Sequence, residues 1–164
     1  MAIKRGQVQL SFGMIFSIIV IIATVAVAFY AISYFLNLSR CTQTGNFYGS
    51  LQNEIDKAWA GEITQKIFTE KLPSGIKNVC FGNISQNYDA GLYAKIHDEL
   101  ESVAVAKNNI YLYPVWNACD GEFASKKLEH VKIDEFFCVS VKNNKASVKL
   151  TKGSGEALVT LSKP

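Results

Sequence analysis

Four cysteines, two histidines and a few acidic pairs are the residues of this chain whose types could do chemistry. Cys41, Cys80, Cys119 and Cys138 all lie beyond residue 40, and none stands in the C-x-x-C spacing of a zinc or redox site. An even number of cysteines in a small exported domain reads as disulfide pairing, for which four cysteines allow three connectivities. His97 is followed by Asp98, Glu99 and Glu101, but no second histidine stands one helical turn away. A zinc centre needs three or four convergent ligands, so His97 is expected on a solvated helix face. Asp120-Gly-Glu122, beside Cys119, would hold calcium only with oxygens supplied from elsewhere, and Asp134-Glu135 reads as a turn. Gly153-Ser-Gly-Glu156 is glycine-rich but lies between two expected strands rather than ahead of a helix, which is the wrong setting for a phosphate cradle. Neither a nucleophile elbow, nor a P-loop, nor a dinucleotide fingerprint occurs. These residues therefore predict no enzyme, no metal and no cofactor. Two Asn-x-Ser sequons, Asn83-Ile-Ser85 and Asn37-Leu-Ser39, mark candidate glycosylation sites, with Asn37 close to the apolar segment considered next. Tyr111, Tyr113 and Trp116 cluster in one strand and loop; packing is the expectation there, with a glycan- or surface-binding platform as the alternative.

What must position these residues begins with a segment that carries no charge at all. From Gly6 to Ser39, 34 consecutive residues are uncharged, and they follow directly on Lys4-Arg5. A bilayer-spanning helix needs about 20 apolar residues; Met14 to Leu36 supplies 23. Thirteen of these are Ile, Val, Leu or Phe, which is about −4 to −8 kcal/mol on an insertion scale before the hydroxyl residues are counted. A core helix of a soluble protein would carry a polar stripe, and this one has none. Lys4 and Arg5 on one side against Arg40 on the other put the N-terminus in the cytoplasm and the remainder outside. Beyond residue 40 the chain has 14 lysines and 14 acidic residues, so its whole surplus of +3 comes from Lys4, Arg5 and Arg40. That basic surplus is a membrane-flank signal and argues against a nucleic-acid partner.

A secretory signal would end its apolar region after 7 to 15 residues at a small-x-small site. Ala26-Val27-Ala28 has those letters, but cleavage there would leave ten further, mostly apolar residues, FYAISYFLNL, on the product. The arrangement Lys4-Arg5-Gly6-Gln7 followed by LSFGMIFSII instead resembles the class III signal segment of archaeal type IV pilins and related pilin-like proteins. The resemblance covers about 35 residues, a fifth of the chain. It implies cleavage between Gly6 and Gln7 by a prepilin peptidase, retention of the apolar helix, and assembly of that helix into the core of an extracellular filament. Bacterial pilins carry a glutamate five residues into the mature helix; that position here is Ser11, so no charge pairing with a neighbour's amine is available. The competing reading is an uncut signal anchor on a single-pass protein that binds a partner or a surface. As a rod, Gln7 to Ser39 would extend about 50 Å, and Ala23, Ala26, Ala28 and Ala31 would allow close helix approach.

These readings divide the chain into a basic leader over 1–6, a transmembrane or filament-core helix over 7–39 and an extracytoplasmic domain over 40–164. In that domain Leu51, Ile55 and Trp59 share one helical face, with Ser50 as a candidate cap, Gly61 as a stop and a break in the rod at Gly45 or Gly49. Strands are expected over 64–71 and 76–81 around a Leu72-Pro-Ser-Gly75 turn, an amphipathic helix over 88–105 and a short strand over 110–114. Alternation of Phe137, Val139 and Val141, then Ala146, Val148 and Leu150, then Leu158 to Leu161 predicts a C-terminal antiparallel β-meander. The fold class is therefore α+β. Cys80 and Cys138 both fall in mid-strand, where neighbouring strands bring Cβ atoms within bonding reach. Cys41 and Cys119 pair by default. Cys80–Cys138 would close a loop of nearly 60 residues and contribute about 3 to 4 kcal/mol in the chain-entropy account.

Overall fold

A computed structural model describes residues 12–105 and 107–164. Gly6 and Gln7, the expected cleavage point, lie outside the described residues. The chain divides into two units at the Leu36–Asn37 junction. A single helix, α1 (Phe12–Ala60), covers 49 residues. The expected break at Gly45 or Gly49 is absent, and Ser50 caps nothing because it lies within the helix. Each mid-helix glycine costs about 1 kcal/mol against alanine. The turns around them bury Phe47, Tyr48, Leu51, Ile55 and Ala58, and each large apolar side chain returns about 1.5–3 kcal/mol. Packing outweighs propensity, so the helix continues.

In the first unit, the described part of α1 exposes nearly every side chain: Phe12 is 85%, Tyr30 75% and Ile22 63% accessible. Two of its hydroxyls are satisfied within the helix, Ser17 Oγ donating to the Gly13 carbonyl at 2.8 Å and Thr24 Oγ1 to that of Ile21 at 2.9 Å. They present no unpaired donor to an apolar medium.

The second unit, Asn37–Pro164, holds the rest of α1 and an α+β fold. Its elements are β1 (Thr64–Lys71), β2 (Asn78–Phe81), α2 (Ala90–Glu101), β3 (Ile110–Tyr113), β4 (Ser125–Lys126), β5 (Val131–Lys132), β6 (Phe137–Ser140), β7 (Lys145–Lys152) and β8 (Val159–Ser162). They form two four-stranded sheets, ordered β1-β7-β8-β5 and β4-β3-β2-β6. The first is mixed, since β5 runs parallel to β8. One core joins α1 residues Phe47, Leu51 and Ile55 to Phe68, Val79, Leu112, Val139, Val148 and Leu161 from both sheets. Helix α2 is shorter than the periodicity implied. Asp89 caps it, its carboxylate accepting the Gly91 amide at 3.0 Å.

The meander holds only for β7 and β8. Asn143 and Asn144, with φ of 51° and 56°, form the expected turn, and Lys142 and Lys145 exchange backbone hydrogen bonds across it at 2.9 Å. Beyond that pair the strands diverge: β7 lies along all eight residues of β1, and β6 joins β2 in the other sheet. Phe137, Cys138 and Val139 are all buried, so β6 needs cover on both faces. β7 buries alternate residues and can leave one face to water.

Candidate functional site

The feature of this chain most readily assigned a role is the apolar part of α1. Among the described residues it is the one helix long and apolar enough to cross a bilayer, which is compatible with membrane anchoring. Leu36, Phe35, Tyr34, Ile32 and Phe29 are exposed on every side of it. Among the described residues of its own unit no second apolar element covers them, which is a surface suited to lipid or to other protein.

The cysteines are joined as Cys41–Cys119 and Cys80–Cys138, with Cα atoms 4.4 and 3.9 Å apart. Cys80 and Cys138 face each other in the β2–β6 register, as their strand positions implied. Cys41 lies on α1, not in a loop, and Cys119 on a short 3₁₀ turn with φ of 52°. The bond therefore ties the helix to the Cys119 turn within the second unit.

The histidines are placed differently from their sequence setting. His97 is buried, not solvated, at 7% exposure. Its ring stacks on Tyr88 at 3.9 Å, meets Phe136 edge-on, and its Nε2–H donates to the Ile84 carbonyl at 2.7 Å. The acidic neighbours made the segment look hydrophilic, but His97 follows Ile96 towards Leu100 on the core-facing side of α2. His130 stacks on Trp59 at 3.9 Å and its Nδ1 lies 3.1 Å from Asp56. The His130 contact, and then the Gln52 amide, hold the Asp56 carboxyl below its ordinary value. Glu54 is likewise lowered, by Lys57 first and Lys66 second. Burial pushes the Tyr48 hydroxyl far up, and it donates to the Phe123 carbonyl at 2.8 Å.

Among the described residues no three His, Cys, Asp or Glu side chains converge as a metal-binding group. The Gly153–Glu156 segment is a closed turn in which the Glu156 carboxylate takes the Gly153 amide, the place a phosphate would need. The aromatic cluster is split: Tyr111 is buried with its hydroxyl donating to the Asn108 carbonyl, whereas Trp116 is 71% exposed. Asn83 is exposed in a turn where its Oδ1 accepts the Ser85 amide at 2.9 Å, the surface-loop setting of a glycosylated sequon. Asn37 is within α1, which is not such a setting.

No protein-family model matches the chain, and no curated protein or solved structure is significantly similar to it.

Proposed function

We propose that the chain is a structural subunit of an extracellular filament of the type IV pilus kind, held in the membrane before assembly by α1. The observation that carries this reading is the unbroken, all-round apolar surface of α1 from Phe12 to Leu36. Such a surface is solvated by lipid in the free subunit and by neighbouring copies of the same helix in a filament. The class III resemblance around Lys4-Arg5-Gly6-Gln7 supplies the processing step. The two disulfides support placement of the second unit outside the cytoplasm, where disulfides persist. The charge flanks give the same orientation.

Mass spectrometry of the native protein tests the processing step: the mature N-terminus is expected at Gln7. Negative-stain imaging with antibody against the second unit should then label filaments. An intact start at Met1 or Ala2, in a monomer extracted from membranes, would instead support the uncut single-pass anchor.

A further inference from the structure

A cleft of about 540 Å³ opens between the Lys142–Lys145 turn, β6 and α2 of the second unit, and it lies within the size range of small-ligand sites. Three lysines, Lys142, Lys145 and Lys163, line it together with Thr69, Ser147 and Tyr93, and no carboxylate side chain does. Among the described residues none of the three lysines forms an ion pair. Pro164 also lines the cleft; a carboxylate there would offset one charge and leave two.

The fold places these charges together against their own repulsion. The two positive-φ asparagines set Lys142 directly opposite Lys145. The β1–β7 register sets Lys71 opposite Lys145 as well. Like charges facing across strands are unfavourable. Glu70, the adjacent acid, does not relieve them: its carboxylate accepts the Lys71 amide, and it lines a different groove. The ammonium groups gathered in this way form an exposed positive patch that an anion would neutralise.

The remaining lining indicates which anion. Thr69 and Ser147 hydroxyls share a hydrogen bond of 2.8 Å, leaving one hydroxyl hydrogen to donate outward. Lys163 Nζ sits 5.2 Å from the Tyr93 ring centre, which covers the face a nucleobase would stack on. Ammonium groups beside hydroxyls, without a free stacking platform, suit a sugar ring bearing a carboxylate or sulfate. We infer that this cleft binds a short segment of an acidic polysaccharide, its anionic groups set against Lys142, Lys145 and Lys163. The choice of a glycan rests on the outward placement proposed above; the anion site itself does not.

The test is binding of full-length protein, in non-ionic micelles, to a heparin-derived hexasaccharide and to an oligogalacturonate of the same length. Calorimetry should show binding to at least one, weakening as salt is raised, with none to a neutral dextran oligomer. Lys142→Gln/Lys145→Gln/Lys163→Gln should weaken it at least tenfold with a melting temperature no lower than that of the native protein. Removing as many charges elsewhere, in Lys57→Gln/Lys107→Gln/Lys127→Gln, should change it less than twofold. If the cleft triple variant unfolds, Lys163→Glu alone should still weaken binding several-fold. Absence of binding, equal losses in both triple variants, or equal affinity for oligothymidylate or for anionic phospholipid vesicles would overturn the inference. Any of these results alongside a mature N-terminus at Gln7 would leave the filament reading standing.

Discussion

Cys41 on α1 and Cys119 on a 3₁₀ turn are covalently joined across 78 residues of sequence, their Cα atoms 4.4 Å apart. The bond is one of two that tie together a unit whose α1 segment otherwise depends on a single buried face. Loops of this length constrain the unfolded chain by about 4 kcal/mol in the entropy account. Cys41→Ser/Cys119→Ser should lower the unfolding free energy of the micelle-bound protein by about 2–4 kcal/mol, read by denaturant titration with Cys80–Cys138 intact. A loss below about 1 kcal/mol would show that packing of Phe47, Tyr48 and Leu51 alone secures the helix.

Thr44, one turn further along α1, is completely buried, and its hydroxyl oxygen has no hydrogen-bond partner. An unpaired buried hydroxyl is costly, and valine has nearly the same shape. Thr44→Val is expected to raise stability by up to about 1 kcal/mol, seen as a higher melting temperature. Destabilisation by a similar amount would mean that the hydroxyl is paired in solution.

Glycine substitutions should separate by sign. Gly82 has φ of +120°, and a Cβ there would lie 2.9 Å from Phe136 Cα and 2.7 Å from Gln86 Oε1. Gly82→Ala is expected to cost about 1–3 kcal/mol through strain and the forced shift of Phe136. Gly45 is helical, and a methyl group added to its Cα would meet nothing within 4 Å, so Gly45→Ala should stabilise by about 0.5–1 kcal/mol. Parallel denaturation curves of the two variants check both; a shared sign would refute the account.

Asp56 gives a directional pH dependence. Its pKa is lowered in the folded state, by His130 first and Gln52 second. A lowered folded pKa adds stability above the unfolded carboxylate range and loses it as pH falls through the folded value. The advantage of the native protein over Asp56→Asn should therefore be present near about pH 5 and gone by about pH 2. The effect is small because the pair is partly exposed and screened by solvent. Acid titrations of both proteins, followed by circular dichroism, measure it; an advantage that grows on acidification would reverse the assignment.

Much of this architecture follows from local rules. The uncharged run dictates an exposed apolar helix because no stripe of polar residues exists to face water. Thr64–Lys71 reads as a strand from its bounding turn signals, and the structure has those limits for β1. Asn143-Asn144 turns because both residues tolerate positive φ.

Other features depend on partners distant in sequence, and no local pattern carries them. His97 looks solvated beside three acids, yet Tyr88, Ile84 and Phe136 enclose it. The alternation over 137–150 reads as one hairpin in one sheet, but burial of Cys138 against Cys80 draws β6 away from β7. The lysines of the cleft and Lys71 beside it come from separate stretches, and only the β1–β7 register and the Lys142–Lys145 turn bring like charges together. Composition and periodicity by themselves determined a greasy helix, a disulfide-bonded domain and the α+β order of elements. Which faces meet, and therefore which charges gather and which histidine is hidden, was decided by tertiary packing, because burial energy is summed over contacts between segments rather than along any one of them.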